Sequence, residues 1–267
     1  MDLITLRLSV TRDYLFKNGS KYVLVDTGYE EDWELFKRRL GETGIAISRI
    51  SHLILTHHHD DHVGLIHRLV AENPALVVVM HGLAKGLLAL GHNDLGHGGG
   101  LLNRRVAVLL GLKQFYVSLA VGKRVDRSRN LLFEPYEARE CDIVLEGETR
   151  LRDIGIEADA SIFATPGHTI DSISILFDDG DCLVGDAAAN FLGMAGTKNC
   201  VVFVRDLDEY YETWEKILAR GARRIFPGHG SPFDSRRLRR NLRKNKTGNM
   251  VLMMSEEGDT RGEFIGS

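Results

Sequence analysis

Cysteine is scarce in this chain. The 267 residues hold three, Cys141, Cys182 and Cys200. The number is odd and no pair has C-x-x-C spacing, so no disulfide framework is expected and the pattern fits a reducing compartment. Long apolar runs are also missing. The most apolar stretch, Leu101 to Val121, is interrupted by Arg104, Arg105 and Lys113, which argues against a membrane span. The N-terminal residues Met1-Asp2-Leu3-Ile4-Thr5 lack the basic and apolar regions of a signal peptide. Charge of one sign is lacking too: the net charge is −3 at pH 7, and nothing draws the chain as a whole to nucleic acid. No tandem repeat is found. These absences lead us to expect a soluble cytoplasmic protein.

What is present is an ordinary globular composition, 43% hydrophobic and 27% charged, long enough to bury a core without staples. Ile4 to Val10 and Tyr22 to Val25 read as strands. Asp32 to Leu40 carries Trp33, Phe36 and Leu40 at helical spacing. His52 to Leu55 reads as a buried strand, Val63 to Val70 as a helix and Leu76 to Met80 as a strand. Residues 82–130 change character, with apolar helical segments, a glycine-rich link from Gly91 to Gly100 and a scatter of basic residues. They read as a helical insertion. Strands resume at Asp142 to Leu145, Ser161 to Ala164, Ile173 to Phe177 and Cys182 to Val184, the last two joined by the turn Asp178-Asp179-Gly180-Asp181. Leu207 to Leu218 reads as a helix and Arg224-Ile225-Phe226 as a strand. Two strand-rich halves, each with helices, predict two packed sheets with helices outside. Residues 1–235 form one domain on this reading. Residues 236–267 add a basic helix with an apolar stripe at Leu238 and Leu242, exposed or else binding an anionic substrate or nucleic acid, and a polar tail.

The chemistry concentrates in Thr56-His57-His58-His59-Asp60-Asp61-His62. Four imidazoles and two carboxylates set so closely in sequence are hard to explain by packing, and a divalent metal would relieve the crowding. An H-E-x-x-H helical zinc site is excluded, because His59 stands where Glu is required. Further donors lie in Gly- or Pro-marked loops at strand ends: His168 in Thr165-Pro166-Gly167-His168-Thr169, Asp186 in Val184-Gly185-Asp186, and His229 in Phe226-Pro227-Gly228-His229-Gly230. Rigid strand ends can hold ligand geometry.

These four segments, together with Val25-Asp26-Thr27-Gly28, resemble the metallo-β-lactamase-fold superfamily, whose H-x-H-x-D-H motif matches His57 to His62. The resemblance runs from about Tyr22 to Gly230. It implies an α/β fold, a four-layer αββα sandwich of two mixed β-sheets flanked by helices. It also implies two divalent metal ions, zinc with iron or manganese as alternatives. His57, His59 and His168 would hold one ion and Asp61, His62 and His229 the other, with Asp186 bridging. Asp61 and Asp186 would serve catalysis. Asp26 is expected to brace the site rather than ligate. His58 and Asp60 are expected to point away from the metals, His52, His67 and His81 to serve packing or the surface, and His92 or His97 to be candidates for facing substrate.

Departures from subgroup patterns narrow the activity. Metallo-β-lactamases proper lack the bridging Asp186. Di-iron flavoproteins of this fold carry Glu at the position of His59. Quorum-quenching lactonases place Tyr shortly after the bridging Asp, where this chain has Ala187-Ala188-Ala189-Asn190. The glyoxalase II type shares all seven ligands, without a match here to its C-terminal helices. The expected function is a dinuclear hydrolase. It would turn a metal-bridging hydroxide on an ester, thioester, lactone or phosphoester of a small-molecule substrate. The alternative is a mononuclear iron oxidoreductase of the persulfide dioxygenase type, using the positions of His57, His168 and Asp186. The insertion, with Phe115 and Tyr116, walls the pocket, forms a homodimer contact or packs as plain core.

Overall fold

Short runs of branched and aromatic residues, each bounded by turn residues, become the strands. The computed structural model describes residues 2–94, 97, 99–110, 132–242 and 251–252. Phe115 and Tyr116, the basic residues near 123–129, the continuation of the basic run past Leu242 and the tail from Ser255 lie outside them.

The first sheet runs in the order β1 (Ile4–Arg7), β2 (Arg12–Asn18), β3 (Lys21–Val25), β4 (Ile50–Ile54), β5 (Val77–His81) and β7 (Ile143–Leu145). It is antiparallel from β1 to β3 and parallel from β3 to β7. The second runs β14 (Phe233–Asp234), β13 (Arg224–Pro227), β11 (Asp181–Gly185), β10 (Ile173–Phe177), β9 (Ala160–Ala164) and β8 (Thr149–Arg150). Its one parallel pair is β11 with β13. Both sheets are therefore mixed.

Side-chain alternation along the strands divides the core into layers. Phe16, Val23, Val25, Ile54 and Val79 of the first sheet meet Ile162, Ile173, Ile175 and Leu183 of the second. Their neighbours Leu15, Leu24, Leu53, Val78 and Met80 face the other way. They pack on Phe36 and Leu40 of the helix Trp33–Glu42, Leu69 of Ile66–Glu72 and Leu88 of Gly82–Leu90. On the far side, Tyr210, Trp214 and Ile217 of the helix Leu207–Ala219 cover Cys182, Val184 and Ile225. This is the expected four-layer αββα sandwich. Asp206 caps that last helix, its carboxylate accepting from Asp208 N and Glu209 N, both at 3.0 Å.

Three local expectations need correction. The strand expected over Ile4 to Val10 stops at Arg7, and Arg12–Asn18 forms a strand the sequence did not announce. That strand lies inside the sheet with both faces covered, so Asp13 to Phe16 are buried without alternation. The helix expected over Val63 to Val70 is two helices, Asp60–Val63 and Ile66–Glu72. The chain bends between them, where Leu65 N donates to the hydroxyl of Thr27. Third, β6 (Gly100–Leu101) pairs with both β12 (Phe203–Val204) and β15 (Val251–Leu252) in a small additional sheet. Within 82–130 the described parts are the helix Gly82–Leu90, β6 and a helical stretch over 104–110. Among the described residues no helix is long and apolar enough to cross a membrane.

Candidate metal centre

Parallel strands in both sheets aim their C-terminal ends at one place. β3 leads into Asp26, β4 into Thr56 and His57, β11 into Asp186 and β13 into His229. The turn after β9 brings His168 to the same point. Among the described residues, three overlapping triads result: His57, His59 and His168; His57, His62 and Asp186; Asp61, His62 and His229. The donor atoms within each lie within 4.8 Å of one another.

The H-x-H-x-D-H segment is split by a change of backbone. His59 is extended (φ −67°, ψ 146°) and caps the helical turn Asp60–Val63. His57 and His59, two apart in extended chain, point to one side, while Asp61 and His62 project from the turn toward His229. His59 Nδ1 lies 2.9 Å from His168 Nε2. Asp186 faces both clusters, with Oδ2 3.5 Å from His168 Nε2 and 3.3 Å from His229 Nε2, and Oδ1 3.5 Å from His62 Nε2. Asp61 Oδ2 lies 3.2 Å from His229 Nε2, and its Oδ1 lies 3.8 Å from His62 Nε2. Donors held at about 2.0–2.2 Å from a tetrahedral ion stand about 3.3–3.6 Å apart. The observed separations bracket that spacing.

Four buried atoms here have no hydrogen-bond partner among the described residues: His57 Nε2, His59 Nε2, His62 Nε2 and Asp186 Oδ1. Each such atom costs about 1–3 kcal/mol when left unsatisfied. Their convergence fits a divalent cation, which takes lone pairs instead of protons. Burial, followed by the neighbouring imidazoles of His62, His59 and His168, holds His57 well below the usual imidazole range. Burial and His168 do the same to His59, and burial lowers His168. The second cluster behaves oppositely. Burial would lower His62, but Asp61, Asp26 and Asp186 outweigh it and raise the group well above its ordinary value. At His229, Asp186 and Asp61 likewise reverse the effect of burial and lift the imidazole to about 10. Burial would raise Asp186, but His229 and His62 hold it well below the carboxylate range. A cation bound among these carboxylates would take over the charge compensation that the two imidazolium protons supply.

Bracing residues orient the donors. Asp26 sits at φ 59°, a left-handed backbone uncommon outside glycine. That turn lets its Oδ1 accept from Thr56 N at 2.7 Å and its Oδ2 from the Thr56 hydroxyl at 2.7 Å and from His62 Nδ1 at 2.9 Å. One carboxylate thus fixes both the residue before His57 and the ring of His62, leaving His62 Nε2 to face the cluster. Replacing Asp26 with Ala is expected to weaken metal binding about 10–100-fold, read as the midpoint of a chelator titration. An unchanged midpoint would remove Asp26 from this role. His168 Nδ1 donates to Phe203 O at 2.9 Å. Tyr210 OH donates to Asp186 O at 2.8 Å and Trp214 Nε1 to Ala187 O at 2.6 Å, so the covering helix pins the loop that carries Asp186. Just before it, Gly185 sits at φ +49°, and a Cβ there would come within 2.3 Å of Thr56 Oγ1. Only glycine allows the two loops to meet.

His58 and Asp60 face the other way. His58 is 1% exposed; its Nδ1 donates to Asp171 Oδ1 at 2.9 Å and its Nε2 accepts from Asp94 N at 3.0 Å. Asp60 exchanges two 2.8 Å hydrogen bonds with the Asn93 side chain. These two positions tie down the start of the glycine-rich link. His92 bonds to Asn93 O and His97 to Asp94, neither of them in the metal-donor triads. His81 caps the helix Gly82–Leu90, His67 bonds to Pro135 O and His52 to Ser51. The roles of Thr56, Asp171, Asn93, Phe203 and Tyr210 were not foreseen in the sequence. Only Thr56, adjoining the motif, carried any local signal.

The sequence matches the family model of the metallo-beta-lactamase superfamily over residues 9–229. The chain belongs to that superfamily. A beta-lactamase-like protein 2 homolog of Caenorhabditis elegans is 24% identical over 233 residues, covering 85% of this chain and 58% of the relative. The chain thus spans less than two thirds of that relative's length. The thioesterase pkgB of Emericella nidulans is 34% identical over 92 residues, 34% of this chain and 26% of that protein. Among solved structures, a metallo-beta-lactamase family protein of Thermus thermophilus superposes with a TM-score of 0.60 at 19% identity, covering 92% of this chain and 77% of that one. At that identity the likeness speaks for the fold. The His and Asp clusters of this superfamily member suit divalent metals.

Proposed function

We propose that the chain is a dinuclear metal-dependent hydrolase. The observation that carries this reading is the pair of donor clusters flanking Asp186, with four buried donor atoms lacking a hydrogen-bond partner among the described residues. His57, His59 and His168 would hold one ion, and Asp61, His62 and His229 the other, with Asp186 shared. Zinc suits the imidazole-rich set; iron and manganese are the alternatives. When bound, two such ions polarise the scissile group and bring a water to a pKa of about 7.

The chain's own residues do the rest. The first cluster is closed: His57 and His168 are 1% and 2% exposed. Water and substrate therefore approach from the side of Asp61 and His229, whose side chains are 14% and 17% exposed. Asp61 stands at that open side as the carboxylate able to accept a proton from an attacking water. Asp186 keeps both clusters in register. Asp26 holds His62 through Nδ1, so its other nitrogen cannot swing away. Esters, thioesters, lactones and phosphoesters all suit attack by water here. The partial likeness to a thioesterase favours the acyl members.

Metal analysis combined with a panel of ester, thioester, lactone and phosphodiester substrates tests the reading. The purified protein should carry divalent metal and hydrolyse a member of the panel, and His59→Ala should lower both. Unchanged metal content and hydrolysis in His59→Ala would contradict it. A single iron with thiol-dependent oxygen uptake would favour the mononuclear oxidoreductase instead.

A further inference from the structure

The open side of the centre is bordered by apolar side chains that the fold leaves in solvent. Phe191 is 52% exposed and Met194 94%, and both belong to the loop that follows Asp186. The Phe191 ring centroid lies 6.4 Å from that of His229. Val10, 43% exposed, adjoins the same imidazole, because His229 Nδ1 donates to Val10 O at 3.1 Å. A second element joins them. Asn103 Nδ2 donates to Ala195 O at 3.3 Å, and a Cβ on Gly196 would face the Arg105 guanidinium at 3.9 Å. Val108 and Leu109 share the helical face of Arg105 at i+3 and i+4, and they are 61% and 38% exposed. Five of the eight large hydrophobics exposed among the described residues thus belong to the segments that border His229 or to the helical stretch in contact with that loop.

The loop is held in this form rather than left slack. Thr197 Oγ1 donates to Phe191 O at 2.7 Å and Asn190 Nδ2 to Ser231 O at 2.9 Å, while Leu192 is kept at φ 49°. Single exposed hydrophobics are ordinary, but several in the segments that border a reactive centre, one of them ring to ring with His229, mark a binding surface. We infer that this rim receives the apolar acyl chain of the substrate, so that the preferred substrates are esters or thioesters of medium-chain fatty or similarly apolar acids. The inference rests on the hydrolase reading above and names its substrate class. An acyl carbonyl placed beside His229 would lay its next few methylenes over Phe191 and Val10. Hydrolysis then adds water across the acyl–oxygen or acyl–sulfur bond, giving the free acid and the alcohol or thiol.

The test uses the full-length, metal-loaded protein with p-nitrophenyl acetate, butyrate, hexanoate and octanoate. kcat/KM should rise about fourfold per added methylene, the increment for burying one CH2, until the chain outruns the rim. Phe191→Ser combined with Met194→Ser should reduce that slope by at least half. Leu83→Ser, an equally exposed position on the helix Gly82–Leu90, should leave it as it is. Hydrolysis without dependence on chain length would overturn the acyl rim and leave the hydrolase reading standing. So would cleavage of phosphodiesters but no ester, or a flat series from a dimer that Met194→Asp dissociates. Protein with neither metal nor hydrolysis of any kind would fail at the underlying reading.

Discussion

Asp186→Ala is expected to lower kcat/KM about a thousandfold or more, equivalent to about 4 kcal/mol of transition-state stabilisation, and to release metal. The reason is positional. Asp186 is the carboxylate within 3.5 Å of imidazoles in both clusters, His168 on one side and His62 and His229 on the other. Its loss leaves His62 and His229 with Asp61 as the one carboxylate between them at the cluster. The fold should survive, because the loop is anchored through its backbone. Asp186 O accepts from Tyr210 OH and Ala187 O from Trp214 Nε1, and neither bond needs the carboxylate. Circular dichroism unchanged alongside lost metal and lost turnover is the expected combination. Activity within tenfold of wild type would show that the two clusters do not act through Asp186.

Gly228→Ala should cost about a hundredfold in kcat/KM while altering no donor. A Cβ at Gly228 would lie 2.6 Å from His62 Cε1 and 3.0 Å from Asp186 Oδ1. Neither neighbour can retreat, since His62 is fully buried and its Nδ1 is held by Asp26 at 2.9 Å. Nor can the glycine, whose N–H donates to Gly185 O and whose carbonyl accepts from Arg12 N, both at 2.8 Å. The added methyl therefore displaces donor atoms by a sizeable fraction of an ångström, and shifts of about 1 Å at a reactive centre cost on the order of a hundredfold. Overpacking should lower stability by about 1–3 kcal/mol, a few degrees in Tm. Paired measurements of Tm and kcat/KM check this. A variant with wild-type turnover would mean the loop gives way more easily than its hydrogen bonds imply.

The layered architecture was legible because local pattern and global fold agree. Short apolar runs at Tyr22 to Val25 and Ile173 to Phe177, helical spacing in Asp32 to Leu40 and a turn at Asp178-Asp179-Gly180-Asp181 all match the observed elements. The strand Arg12–Asn18 was hidden for a physical reason. Charged ends and a buried Asp13 break the apolar signal, and burial on both faces removes alternation. The small sheet was invisible because its two-residue strands, at Gly100, Phe203 and Val251, are far apart in sequence and have no local signature. At the centre, residue type and strand-end position marked His168, Asp186, His229 and the run His57 to His62, the resemblance to the H-x-H-x-D-H motif picked His57, His59, Asp61 and His62 from that run, and the structure brings all seven together. Their supports were not. Asp171 and Asn93 meet His58 and Asp60 across 113 and 33 residues, and only the folded chain shows that Phe191 turns outward beside His229.

A dinuclear centre requires two ions, one on either side of Asp186. Native mass spectrometry of the purified chain, with elemental analysis of the same sample, counts them directly. Two divalent ions per chain are expected, falling to one when Asp61 and His229 are both replaced by alanine, with hydrolysis lost in parallel. A chain that carries a single ion, keeps it in the Asp61→Ala, His229→Ala variant and turns over substrate undiminished would contradict the dinuclear reading.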